Sequence, residues 1–98
     1  MKKIAAVLLA GAMVLTMAGC AGKKEEPIKI ATKPMTEQYI LGEMLSQLIE
    51  EKAGYKVELT KGIGGGTSNI QPAMEKGEFD LYPEYTSSGW IMVLGHEA

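Results

Sequence analysis

From Ile28 to Thr32 apolar and polar residues alternate, and a Lys-Pro pair closes the run, which predicts a strand. Ile40, Leu41, Met44, Leu45, Leu48 and Ile49 then recur at helical spacing and predict one apolar stripe facing a core. Thr36 is placed to cap that helix, Glu37 suits its N-terminal dipole, and Gly54 is the natural left-handed stop. Lys56 to Thr60 alternates again and predicts a second strand. After the glycine loop Gly62–Gly66, Thr67 or Ser68 caps a second helix that runs through Lys76 and ends at Gly77. Pro72 falls near the fourth position of that helix, where a missing N–H costs little. Phe79 to Tyr82 reads as a short third strand, Pro83 to Ser88 as a polar loop, and Trp90 to Leu94 as the start of a third helix.

The order β-α-β-α-β-α with short links predicts a parallel α/β sheet covered on both faces. In such sheets ligands bind beyond the carboxyl ends of the strands. Here those ends are Lys33–Gln38, Lys61–Ser68 and Tyr82–Ser88, all rich in hydroxyl groups, amides or glycine. Two of them lead into helix N-termini with free N–H groups.

The N-terminus follows a different pattern. Lys2 and Lys3 precede an almost unbroken apolar run from Ile4 to Met17, shorter than the roughly 20 residues of a membrane span. Ala18 and Gly19 follow, and then Cys20, the single cysteine of the chain. Residues 1–19 are expected to be a secretory signal peptide. Met17-Ala18-Gly19-Cys20 resembles a bacterial lipobox, which implies that Cys20 is acylated and becomes the mature N-terminus. Residues 20–27 then form a lipidated tether, and residues 28–98 the folded part, of marginal size for an independent core. A diacylglyceryl group gives the second acyl chain that stable attachment requires.

Composition removes several function classes. The chain has 98 residues, ten lysines, no arginine, twelve acids, and a formal net charge of −2. Without residues 1–19, which carry two lysines and no acid, the acidic excess grows, and no basic run marks a nucleic-acid surface. One cysteine and one histidine, His96, leave no disulfide framework, zinc cluster or nucleophile–base pair. No metal, cofactor or catalytic residue is expected.

The candidate chemistry is therefore that of binding. Four of the six aromatic residues, Phe79, Tyr82, Tyr85 and Trp90, fall within twelve positions. A tyrosine face attracts quaternary ammonium ions, and Tyr85 lies in the loop proper; Tyr82 reads equally as a core-edge residue with its hydroxyl in water. Asp80 and Glu84 could add negative potential, although charges in such loops are more often simply solvated. The glycine loop lacks the lysine of a phosphate-binding loop and has Asn69 where a dinucleotide fingerprint needs glycine. It is either a flexible turn or a place of close backbone approach to a ligand, with Thr67 and Ser68 as donors. Gln38 either faces the crevice from the first turn of its helix or is an exposed polar residue there.

Thr36-Glu37-Gln38, Gly65-Gly66-Thr67-Ser68 and Asp80-Leu81-Tyr82-Pro83-Glu84-Tyr85-Thr86 together resemble the osmoprotectant substrate-binding proteins of ABC importers, from about Ile28 to the last residue. The resemblance implies a type II periplasmic-binding-protein lobe, here its N-terminal βαβαβ portion and incomplete. It implies capture of glycine betaine, choline or carnitine for an ABC permease, without bond chemistry, at the outer face of the cytoplasmic membrane. Tyr85 would form one wall of an aromatic box, Gln38 would bond the polar end of the ligand, and Thr86 and Ser88 would line the pocket, with Thr67, Ser68 and Tyr82 beside them. Ser87 stands where that family usually has glycine. The alternatives are a small surface lipoprotein with a structural or adhesive role and, less in keeping with the residues, an envelope enzyme lacking its catalytic half.

Receptors of this type have two lobes, expected at about three times this length, and the chain stops inside the first. The polypeptide alone is therefore expected to bind betaine weakly or not at all. Isothermal titration of residues 21 onward checks this, and micromolar affinity would reject it.

Overall fold

The computed structural model describes residues 26–98. The expected signal peptide, Cys20 and most of the tether lie outside the described residues. The elements are β1 (Ile28–Ala31), α1 (Thr36–Leu48) with a π-helical turn (Ile49–Ala53), β2 (Val57–Thr60), α2 (Thr67–Glu75), and α3 (Thr86–Ser88) with a second π-helical turn (Gly89–Val93). No described helix is long and apolar enough to cross a membrane.

β1 and β2 pair in parallel, from Ile28 opposite Val57 to Ala31 opposite Thr60. The fold is thus a small α/β unit around a parallel two-stranded sheet, as the alternation of elements predicts. The expected third strand is reduced to one parallel bridge, Ile30 to Leu81, on the other side of β1. Asp80 shows why the ladder is short. Its own N–H donates to the Lys29 carbonyl (2.8 Å), but the Lys29 N–H donates to the Asp80 carboxylate (2.8 Å). A side chain thus takes the place of a strand carbonyl, and Pro83 has no N–H with which to continue. Because β1 lies between β2 and this bridge, right-handed crossovers in opposite directions put α1 and α2 on opposite faces of the sheet.

The described core is small: Ile30, Ala31 and Ile70 are its fully buried apolar residues. α1 does not bury the stripe that its apolar spacing predicts. Leu41, Leu45 and Ile49 are half-buried, whereas Ile40, Met44 and Leu48 are 56%, 62% and 56% exposed. The face turned inward is Gln38, Gly42 and Ser46. Gly42 explains the choice: a Cβ there would lie 2.6 Å from Thr32 Cγ2 and 3.0 Å from Leu59 Cδ1. The helix approaches the sheet at its smallest residue, and Ser46 beneath donates its hydroxyl to the Gly42 carbonyl (2.8 Å).

Two helix starts differ from expectation. Met35, not Thr36, is the N-cap of α1, without a side-chain cap. Gly66, not Thr67 or Ser68, is the N-cap of α2, with φ 55° and ψ −125°, a conformation that only glycine adopts readily. Starting there puts Pro72 at the sixth helical position, so the Ser68 carbonyl loses its helical donor. The third helix begins at Thr86, inside the expected loop, and Trp90 falls in its π-helical extension. Gly54 and Gly77 do follow their helices with positive φ, as their sequence positions suggest.

Gly42→Ala is expected to lower stability. Overpacking against stiff, buried Thr32 costs about 1–3 kcal/mol, more than the roughly 1 kcal/mol gained in helix propensity. Thermal unfolding followed by circular dichroism checks the sign; an unchanged or raised midpoint would show that the helix can back away from the sheet.

Candidate functional site

The three loops beyond the strand ends are bound to one another by named polar contacts. Thr32, fully buried at the end of β1, accepts the Gly62 N–H at its hydroxyl (3.1 Å) and the Ile63 N–H at its carbonyl (2.8 Å). The first loop is thereby fastened to the glycine loop. Gln38 is also fully buried: its Oε1 accepts the Lys33 N–H (3.2 Å) and its Nε2 donates to the Pro83 carbonyl (3.1 Å). At the third helical position it reaches back past the helix start, much as the glutamine of a capping box does. Its amide is therefore not an exposed first-turn group. It joins the first loop to the third.

Glu84 lies where these loops meet. One carboxylate oxygen, Oε1, pairs with the Lys33 ammonium and accepts the Tyr85 N–H (2.8 Å). The other, Oε2, accepts the hydroxyls of Thr67 (2.8 Å) and Tyr82 (2.7 Å). Burial pushes the carboxyl pKa up, but the donors from Lys33, Tyr82, Thr67 and the Tyr85 N–H outweigh it and hold it at about 2. Burial raises the Tyr82 phenol, and the bond to Glu84 and its negative charge raise it further, so this phenol remains a donor. The Lys33 stem runs beside Gly66, and its ammonium stands 5.0 Å from the centre of the Tyr85 ring, within cation–π range.

Around this knot the residues singled out from the sequence sort into neighbouring places. Thr67, Tyr85 and Ser88 line one cavity, together with Lys33 and the Gly65–Gly66 turn. Tyr82, Tyr85 and Thr86 line a second groove, with Trp90 on its far side. Tyr85 is the one residue common to both. Ser68 is exposed and lines a separate recess beside Thr67. Gln38 lies beneath the loops and lines neither of the Tyr85 cavities. Trp90 stacks on His96, with ring centres 3.7 Å apart and planes inclined by 17°, and donates its indole N–H to the Glu97 carbonyl (3.0 Å).

Sequence reasoning passed over two residues. Lys33 reads as the polar end of a strand, yet it is only 5% exposed. Glu84 reads as a solvated loop charge, yet four donors reach it. A signal was available: lysine and glutamate, one in each of two converging loops, are the charges that must pair if the loops bury them. Among the described residues no group of three or more His, Cys, Asp or Glu could hold a metal ion.

The ordinary carboxyl value of Glu84 is 4.5 and its folded value about 2. Its stabilising contribution is complete above 4.5 and is lost as pH falls from there towards 2. The thermal midpoint is expected to fall over that interval. The Lys33→Met/Glu84→Gln double variant, which carries neither charge, should show a clearly shallower fall. An equally steep fall in the double variant would assign the acid sensitivity to other carboxylates.

The chain matches a family model described as the substrate binding domain of ABC-type glycine betaine transport system, over residues 26–97. It is 54% identical over 71 residues to a Helicobacter pylori protein named ergothioneine transport permease/ergothioneine binding protein EgtU, an alignment covering 72% of this chain and 13% of that protein. It is 32% identical over 84 residues to the carnitine transport binding protein OpuCC of Listeria monocytogenes, covering 85% of this chain and 27% of that one. It is 35% identical over 79 residues to a glycine-betaine-binding protein of Pseudomonas aeruginosa, with 74% and 24% covered. The chain thus spans only about a quarter or less of the length of these relatives. A parallel α/β unit with its polar loops gathered at one end, matched to that model along nearly all its described length, belongs to the family of ABC-type glycine betaine substrate-binding domains.

Proposed function

We propose that this chain is part of the solute receptor of an ABC importer and contributes one wall of a site for small solutes that carry a quaternary ammonium group. Glycine betaine, carnitine and choline are the ligands implied by the family resemblance. Ergothioneine joins them because the relative that is 54% identical is named for it, and it too combines a trimethylated ammonium with a carboxylate. The observation that carries the reading is the setting of Tyr85. Its ring borders both a cavity lined by Thr67, Ser88 and Lys33, whose ammonium lies at cation–π distance from it, and a groove lined by Tyr82, Thr86 and Trp90 but not by Lys33, from which a methylated ammonium can reach the ring. Such contacts contribute about 2 kcal/mol or more when water is excluded, and the Ser88 hydroxyl with free backbone N–H groups suits a carboxylate.

In this reading Thr67, Ser68, Tyr82, Thr86 and Ser88 surround the ligand with Tyr85, and Gln38 sets the loops from below. The protein captures and releases and breaks no bond. Residues 1–19 direct export, Cys20 carries the lipid anchor, residues 20–27 form the tether, and residues 28–98 make up the partial lobe. The receptor works at the outer face of the cytoplasmic membrane and presents its ligand to a permease.

Nuclear magnetic resonance titration of the chain with glycine betaine and with ergothioneine tests this. Both are expected to shift Thr67, Tyr85, Thr86 and Ser88 at high concentration, whereas glycine, which lacks the methyl groups, should not. Tyr85→Ala should remove the response, losing affinity by about tenfold or more. Shifts as large with glycine as with the methylated ligands would favour a surface lipoprotein without a specific binding role.

A further inference from the structure

We infer that Glu84 and Lys33 are positioning residues of the candidate site: the ion pair between buried Lys33 and half-buried Glu84 sets the Tyr85 ring and the Thr67 hydroxyl and leaves the ring accessible from the groove that Lys33 does not line. The consequence for ligands rests on the capture reading above; the positioning itself rests on geometry. Tyr85 is the extended residue just before α3, with φ −93° and ψ 145°. Its N–H donates to Glu84 Oε1, the same oxygen that holds Lys33, and Lys33 in turn stands over the ring. One oxygen therefore governs Tyr85 twice, at its main chain and through the lysine at its ring.

A carboxylate offers about four acceptor sites, and Glu84 meets four donors. Its acceptor sites are taken and its charge is paired with Lys33, so the ring and not this carboxylate is left to meet a bound cation. Lys33 lines the cavity on the glycine-loop side and not the groove on the Trp90 side. Its ammonium repels a second cation from the ring face that it covers, so the direction from which a methylated ammonium can meet Tyr85 is set by this pair. The same carboxylate holds Thr67 at the first position of α2, so one side chain coordinates hydroxyl and ring across two loops.

The test compares the unmodified chain with Lys33→Met, Glu84→Gln and the double variant. In the unmodified chain the Lys33 ε-methylene resonances are expected upfield, with cross-peaks to the Tyr85 ring. Glu84→Gln should lose both the shift and the cross-peaks and weaken glycine betaine binding by about tenfold. The double variant, with no buried charge left alone, should recover the thermal midpoint but not the binding midpoint. Cross-peaks retained in Glu84→Gln would overturn the proposal. So would a double variant that binds as the unmodified chain does once its stability has returned. If Glu84→Gln does not fold, the double variant decides between these outcomes through the Tyr85 ring signals and binding. A chain that responds to glycine as strongly as to betaine counts against the capture reading, while the Lys33–Tyr85 cross-peaks still decide the positioning role.

Discussion

One half-buried carboxylate, Glu84, governs the arrangement of this molecule. Glu84 draws donors from the loop after β1, from the first turn of α2, from the end of the Leu81 bridge and from its own chain neighbour. A carboxylate removed from water needs such compensation, because burial without it is costly. Once the compensation is complete, the loops that supply it have little freedom to separate. Gln38 and Thr32 extend the same logic with neutral hydrogen bonds between neighbouring loops.

Polar residues hold this end of the molecule because apolar residues are few in its interior. Three fully buried apolar residues make a small core for a parallel sheet. The sheet itself has one full pairing and one bridge. Precision at the strand ends therefore comes from directional bonds more than from volume filling. Such bonds suit a binding site, because they fix where a ring and a hydroxyl point as well as how near they lie. The close approach at Gly42 serves the same end, since it sets the depth at which Gln38 enters the loops.

Kinship and site geometry meet at the segment from Asp80 to Thr86. It carries the most distinctive string of the family resemblance, and it also supplies Asp80 to the sheet ladder, the Pro83 carbonyl to Gln38, Glu84 to the Tyr85 N–H, and Tyr85 to the cavity wall. The relatives are named for solutes that share a trimethylated ammonium and a carboxylate and differ in what joins and surrounds them. A wall built around one tyrosine face accords with the shared ammonium.

The sequence alone determined the order of elements, the ends of two helices at Gly54 and Gly77, and the three loops that gather at the strand ends. These depend on residue periodicity and on turn chemistry, which act over a few neighbouring positions. It also singled out Tyr85 and Thr67, because aromatic and hydroxyl side chains in loops stand out from a structural background. Tertiary structure alone decided that α1 turns Gln38, Gly42 and Ser46 inward and leaves Ile40, Met44 and Leu48 outside, that the third strand shrinks to a bridge, and that Lys33 and Glu84 are joined. The partners in these contacts stand far apart along the chain: 45 positions separate Gln38 from Pro83, and 51 separate Lys33 from Glu84. Local pattern carries no record of such meetings, and only the folded chain brings the charges close enough for one to bury the other.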